Sequence, residues 1–229
     1  MTTLVNLLER RITLYSAFFK VSNEKQRRII NAALNEFSKQ PYETASTNKI
    51  VQEAGISKGL LFHYFGNKKN LYLFLYEYVV DKYSESFFTD INLTEPDLFK
   101  RFKQLLSINM NLARQNPAFF QFISMVQLEK SVEVLAELEA LHSVKENYNY
   151  EKFLSGIDYS LFKEEIDTKY ALNTINFILD GISNKYNQQL KEANYDLDVL
   201  STLTEECTVE MEEYFQFLKP LFYKMENDK

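Results

Sequence analysis

Residues 46–71 read STNKIVQEAGISKGLLFHYFGNKKNL. Ser46 is a helix N-cap residue standing ahead of Ile50, Val51 and Ala54, which share one inward face, and Gly55 supplies a left-handed residue where that short helix stops. A further short helix begins after Ser57. Ile56, Leu61 and Phe65 are spaced to point into a core, because residues four apart lie on one helical face. Lys58, Gly59, Leu60, His63 and part of Tyr64 are left outward. Two short helices across a tight glycine turn make a helix-turn-helix pattern. A glycine inside a helix costs about 1 kcal/mol relative to alanine, but it lets a backbone come close to another surface. An outward leucine can touch a thymine methyl, and lysine, histidine and tyrosine can donate to phosphates or base edges. This face is shaped to enter a major groove.

Upstream, NEKQRRIINAALNEF from Asn23 sets Ile29, Ile30, Ala33, Leu34 and Phe37 on one stripe, and Pro41 bounds that helix. Asn23 is its expected N-cap, with Gln26 three residues on in the place of a capping box. Downstream, Asn67 can cap a helix of about 20 residues, long enough to leave a small head and enter a larger body. Later helices are expected to begin near Pro96 and Pro117, where proline suits a first turn, and another to span about Lys130 to Phe153. Leu172, Ile175, Leu179, Ile182 and Tyr186 step by three and four, as do Leu200, Leu203 and Cys207, then Met211, Tyr214, Leu218 and Leu221. These are two long amphipathic helices.

The stretch from Thr47 to Leu71 resembles the DNA-binding domain of TetR-family transcriptional regulators. That family carries a threonine on its second helix, an Ala-Gly-Val-Ser turn, a Gly-Thr-Leu-Tyr-like recognition helix and a Ser/Asn-Lys start to helix four. The resemblance covers about residues 23–75. It implies an all-α protein in which an N-terminal three-helix helix-turn-helix head is joined by a long helix to a larger helical body for ligand binding and dimerisation. The implied division is an N-terminal extension at 1–22, the DNA-binding domain at 23–70 and the body at 71–229.

Position by position, the resemblance implies that Thr47 bonds a backbone phosphate and that Asn48 reaches base edges. Lys58, Gly59, Leu60 and His63 would face bases or nearby sugar-phosphate. Tyr64 and Lys68 would hold phosphates, Lys68 beside the positive N-terminal end of its helix. Phe62 stands where the family usually has tyrosine, and Leu60 replaces a commoner small or hydroxylated residue. The family also implies a homodimer through the two C-terminal helices, a palindromic double-stranded operator and a small-molecule effector; two heads set about 34 Å apart read both half-sites. Phe102, Leu105, Phe119, Phe120, Phe122, Met125, Phe153 and Phe177 are candidate pocket linings, although aromatics at helical spacing more often build core, and no ligand residue is assigned.

Composition agrees with this outline. Five glycines and four prolines in 229 residues are few for an all-β fold and suit long helices. A single cysteine, Cys207, rules out an internal disulfide framework and fits a reducing cytoplasm. No segment has the length and apolarity of a membrane span, and residues 1–21 make a poor signal peptide because Glu9, Arg10 and Arg11 interrupt their apolar part. The net charge of −6 conceals 11 Lys and Arg against 5 Asp and Glu over residues 1–70, and 15 against 27 over residues 71–229. A basic head on an acidic body points the head at a polyanion.

Two rival readings are open to the sequence. Glu139-x-x-His142 is the ligand pair of helical di-iron bundles, but such a site needs a second copy, and His63 is preceded three residues earlier by Leu60. No nucleophile constellation, phosphate-binding loop or calcium loop appears, so neither an enzyme nor a cofactor or metal site is expected. An architectural DNA-binding protein without an inducer is the other rival. Residues 1–21 stand outside the resemblance: Phe18 and Phe19 are placed to staple onto the first helix of the head, and LVNLLERRITLY reads as an added helix, an arm touching DNA through Arg10 and Arg11, or a mobile tail.

Overall fold

Caps decide where the helices begin. In the computed structural model, which describes residue 11 and residues 13–193 and 196–224, the first long helix, α1, spans Asn23–Phe37. Its cap is Ser22, one residue ahead of the expected Asn23: the Ser22 hydroxyl accepts from Lys25 N at 3.4 Å. Gln26 makes no capping box; its amide donates to the Val21 carbonyl at 2.9 Å and holds the incoming chain instead. α2 (Thr47–Ala54) and α3 (Lys58–Phe65) are capped by Ser46 and Ser57, and α4 (Lys68–Asp90) by Asn67, whose side-chain oxygen accepts from Asn70 N at 2.8 Å.

α5 (Leu98–Gln115) starts at Asp97, which takes the N–H groups of Phe99 and Lys100, and α6 (Pro117–Gln127) starts on its proline. α7 (Leu135–Leu154) starts later than Lys130, because the Glu129 carboxylate takes the N–H groups of Lys130 and Ser131, both at 2.9 Å, before any helix can. α8 (Thr168–Glu192) and α9 (Leu197–Phe222) are capped by Asp167 and Asp196. The fold is all-α, with no strand among the described residues and one isolated bridge between Phe162 and Tyr223. No described helix is long and apolar enough to cross a membrane.

Packing divides the chain into two compact units, one running up to Glu85 and including Ala118–Lys152, the other made of Ser86–Pro117 with Phe153 onward. In the first, a continuous apolar cluster joins Ile29, Leu34 and Phe37 of α1, Ile50 of α2, Leu61 and Phe65 of α3, Leu71 to Phe74 of α4, Phe122 of α6 and Leu138 of α7. The chain ahead of α1 belongs to it: Tyr15 and Phe18 are buried, while Phe19 is exposed. Arg11 is bonded to Asp81 of α4, so it is not presented as an arm; Arg10 lies outside the described residues.

The second unit has its own aromatic centre, with Phe102 ring centroids 5.2 Å from both Phe153 and Phe215, and Tyr223 5.1 Å from Phe99 and 4.9 Å from Phe162. Arg101 is fully buried there. Its guanidinium donates to the carbonyls of Leu93, Glu95, Phe153 and Ser155, so four acceptors replace water around one charge. Burial lowers its pKa from the ordinary value against the pull of Glu95.

The apolar steps of α8 and α9 serve mainly this unit. Ile175, Ile182, Leu200, Met211 and Leu218 are buried within the chain. Tyr214 and Leu221 are exposed, together with Phe177, Val209 and Phe217. Phe177, at 75% exposed, is therefore a surface residue rather than a pocket lining. Each helix carries two apolar stripes, and sequence spacing does not say which one faces its own chain.

Candidate nucleic-acid interface

The turn between α2 and α3 is built by backbone bonds that only a left-handed residue permits. Gly55 adopts φ 63°, ψ 44°, its N–H bonds to the Gln52 carbonyl and the Ile56 N–H bonds to the Val51 carbonyl at 3.0 Å, which is a Schellman closure. Val51 and Ile56 are both half-buried against the apolar cluster on either side of it. α2 is anchored to α1 by a buried carboxylate: Glu36 accepts from Ser46 N at 2.7 Å. The Asn35 amide donates to both Glu53 oxygens, at 3.0 and 2.9 Å. The two helices are thus set by named bonds.

On α3, Leu61, Tyr64 and Phe65 are buried, while Lys58, Gly59 and His63 are exposed. Leu60 and Phe62 are half-buried; Leu60 spends part of its side chain on the cluster, and the Lys58 ammonium lies 5.9 Å from the Phe62 ring. A Cβ placed on Gly59 would meet nothing within 4 Å. Nothing inside the protein asks for a glycine there. Tyr64 departs from the expected outward placement: it is 5% exposed, with its ring 5.9 Å from Phe18. The cause is the N-terminal segment, whose Phe18 occupies the space beside it.

Thr47 is half-buried and Asn48 exposed at the start of α2. Lys68 is drawn back onto the turn ahead of that helix, where its ammonium donates to the Glu43 carbonyl at 3.1 Å and lies 4.7 Å from the centre of the Tyr42 ring. Burial lowers its pKa, against the pull of Glu133, Glu36, Glu129 and Glu43. Tyr42 is in turn held by the first unit's later segment: its N–H donates to Glu129 at 2.9 Å and its hydroxyl to Glu133 at 2.6 Å. Sequence reading missed Tyr42, Glu129 and Glu133, because partners 87 and 91 residues apart leave no local pattern.

His142 shows what its surroundings make of the Glu-x-x-His pair. Its Nδ1 is 2.9 Å from the Tyr76 hydroxyl and its Nε2 3.2 Å from Glu146, the residue one turn on rather than Glu139. Among the described residues no group of three or more His, Cys, Asp or Glu side chains is placed to hold a metal.

The family model of "Bacterial regulatory proteins, tetR family" matches residues 29–74, which run from within α1 to the first turns of α4. The head belongs to the TetR family. Among curated relatives of this TetR head, the HTH-type transcriptional regulator HbdR of Aromatoleum sp. (strain CIB) is 36% identical over 78 residues, 34% of this chain and 34% of its own. The HTH-type transcriptional repressor AcnR of Corynebacterium glutamicum is 38% identical over 56 residues, 24% of this chain and 29% of its own. The chain thus spans about a third of the length of these curated relatives.

A solved structure of the transcriptional regulator FadR from Bacillus subtilis, in complex with stearoyl-CoA, is similar in fold, with a TM-score of 0.59 at 17% identity over 81% of this chain and 96% of that one. The all-α architecture is therefore shared with that solved regulator. The TetR family and these relatives are transcriptional regulators, which are not enzymes.

Proposed function

We propose that the chain is a sequence-specific, DNA-binding transcriptional regulator, a homodimeric repressor that a small, largely apolar ligand releases from a palindromic operator in the cytoplasm. The observation that carries the reading is Gly59. It sits exposed inside an eight-residue helix, with open space where a Cβ would be and Lys58 and His63 exposed on the same short helix. A destabilising residue with no role in the protein's own packing is accounted for by close approach to an external surface. The basic balance of residues 1–70 supports a polyanion as that surface.

In this reading residues 1–22 are an extension, 23–70 the DNA-binding domain and 71–229 the ligand-binding and dimerisation body. Thr47 bonds a phosphate, Asn48 reaches base edges, and Lys58, Gly59, Leu60 and His63 meet bases or adjoining sugar-phosphate. Tyr64, buried at 5% exposed, is the least accessible of the residues assigned to a phosphate. Lys68 swings from the Glu43 carbonyl to a phosphate oxygen, exchanging a neutral acceptor for an ionised one.

Dimerisation is supported by the apolar residues that α8 and α9 leave outside. Phe177, Val209, Tyr214, Phe217 and Leu221 are between 41 and 75% exposed, and monomers rarely leave such a set uncovered. Repression is supported by the relative AcnR, a transcriptional repressor, and an effector with an apolar part by the acyl chain of the stearoyl-CoA bound to the FadR neighbour. Release requires that the ligand favour a conformer whose heads are wrongly spaced, since only differential affinity shifts an equilibrium.

The test is selection of bound fragments from random-sequence DNA by the purified protein. Enrichment of a palindrome supports the reading. Salt-sensitive binding with no enriched sequence overturns it in favour of an architectural protein.

A further inference from the structure

Phe18 is fully buried ahead of the matched TetR residues, and its ring stands against two helices at once. Its centroid is 4.8 Å from Phe65 and 5.9 Å from Tyr64 on α3, and 5.2 Å from Phe74 on α4. Tyr15 repeats the pattern, 5.7 Å from Phe65 and 4.9 Å from Phe74, and its hydroxyl donates to the Asn70 carbonyl in the first turn of α4 at 3.0 Å. The Arg11 guanidinium lies over the rings of Phe74 and Phe19, at 5.3 and 5.9 Å, and is bonded to one oxygen of Asp81. The other Asp81 oxygen takes the buried Lys145 ammonium of α7.

We propose that Arg11 with residues 13–19 forms a brace that positions the recognition helix α3 against α4, Phe18 and Tyr15 being the positioning residues and Asp81 the latch. The proposal rests on reading α3 as the helix that enters the groove. An eight-residue helix does not hold its shape in water, so the order of α3 comes from what covers its inward face. Leu61, Tyr64 and Phe65 form that face, and Phe18 touches the last two. The latch is stable because Lys145, buried as a cation, requires the Asp81 charge, which fixes the carboxylate that Arg11 then shares.

A brace of this kind makes DNA affinity depend on residues that never touch DNA. Only molecules with α3 in place can bind, and the apparent dissociation constant is the intrinsic one divided by the competent fraction. The brace also separates Arg11 from the phosphate-contacting lysines: its loss weakens binding without removing a counterion-releasing contact.

The experiment compares the full-length protein with F18A, F18L and R11Q. Hydrogen exchange is read over α3 and over α8 and α9, and affinity for the selected operator is read as a function of salt. The expected result for F18A is faster exchange confined to α3 and its neighbours, with affinity reduced about tenfold or more at an unchanged salt slope. F18L keeps most of the affinity. R11Q weakens binding less than F18A, also at constant slope.

A fall in the salt slope by about one for R11Q would make Arg11 a phosphate contact and overturn the brace. Unchanged α3 protection and affinity in F18A would do the same. Should F18A lose its helical signal altogether, F18L and Y15F, which keeps the ring and removes the bond to the Asn70 carbonyl, decide the matter by the same two readouts. If the wild-type chain selects no DNA sequence, the functional reading fails, while exchange in α3 still accepts or rejects the brace.

Discussion

The Tyr42 hydroxyl donates to Glu133 Oε1 at 2.6 Å across 91 residues of chain, and the turn that carries Tyr42 also receives the Lys68 ammonium. The relationship links the approach to α2 with the entry to α7 inside one unit. Burial, then the bond to Glu133, raises the Tyr42 pKa far above its ordinary 10.0, so the hydroxyl stays a donor throughout the working range. Tyr42→Phe should cost about 1 kcal/mol of stability, the net worth of one such bond. Urea denaturation measures it, and an unchanged midpoint would show that the bond contributes nothing.

Gly55 and Gly59 should respond oppositely to alanine. Gly55 at φ 63° must stay left-handed, and G55A should destabilise the head by roughly 1–2 kcal/mol. Gly59 is helical with open space around its missing Cβ, so G59A should stabilise the head by up to about 1 kcal/mol. The same G59A should weaken operator binding. A variant that melts higher and binds DNA as well as the wild type would remove the main support for the groove-facing role of α3.

Arg101 should be among the costliest side chains to lose. R101M exchanges a guanidinium that satisfies four backbone carbonyls for a group that satisfies none, and a buried acceptor left unbonded costs roughly 1–3 kcal/mol. A loss of at least about 3 kcal/mol is expected by chemical denaturation, since the carbonyls of Leu93, Glu95, Phe153 and Ser155 are all affected. R101K should fall between, because lysine keeps the charge without the planar fork.

Phe217 is 64% exposed, so F217E should leave the helical content and the internal core intact. If α8 and α9 pair across a two-fold axis, a charge there is buried without a partner, and sedimentation should change from dimer to monomer. A dimer that persists would move the interface elsewhere.

Asp97 contributes to the acid response of the second unit. Burial works to raise its pKa, but the bonds from Lys219, Lys100 N and Phe99 N outweigh it and hold the carboxyl below its ordinary 3.8. A group depressed in the folded state contributes stability above its unfolded value and loses it as pH falls through the folded one. The stability gap between wild type and D97N should therefore be constant at neutral pH and shrink below about pH 3.8. A gap that does not narrow in acid would show that the cap works without the charge.

Most of the helix-turn-helix was legible because its signals are local. Ser46, Ser57 and Asn67 cap α2, α3 and α4, Gly55 closes a turn through bonds to Gln52 and Val51, and Leu61 and Phe65 share a face by helical period alone. Each depends only on residues within a turn or two, so the order of short helices and the exposure of Lys58, Gly59 and His63 were determined by the sequence itself. Tertiary structure decided the rest. Tyr64 lies inside because Phe18 packs beside it, Lys68 rests on Tyr42 because Glu129 and Glu133 hold that turn, and Met211 and Leu218 serve the chain's own core while Phe217 and Leu221 do not. A periodic stripe states that a face is apolar; which neighbour covers it depends on contacts between residues far apart in the chain, and those carry no local signature.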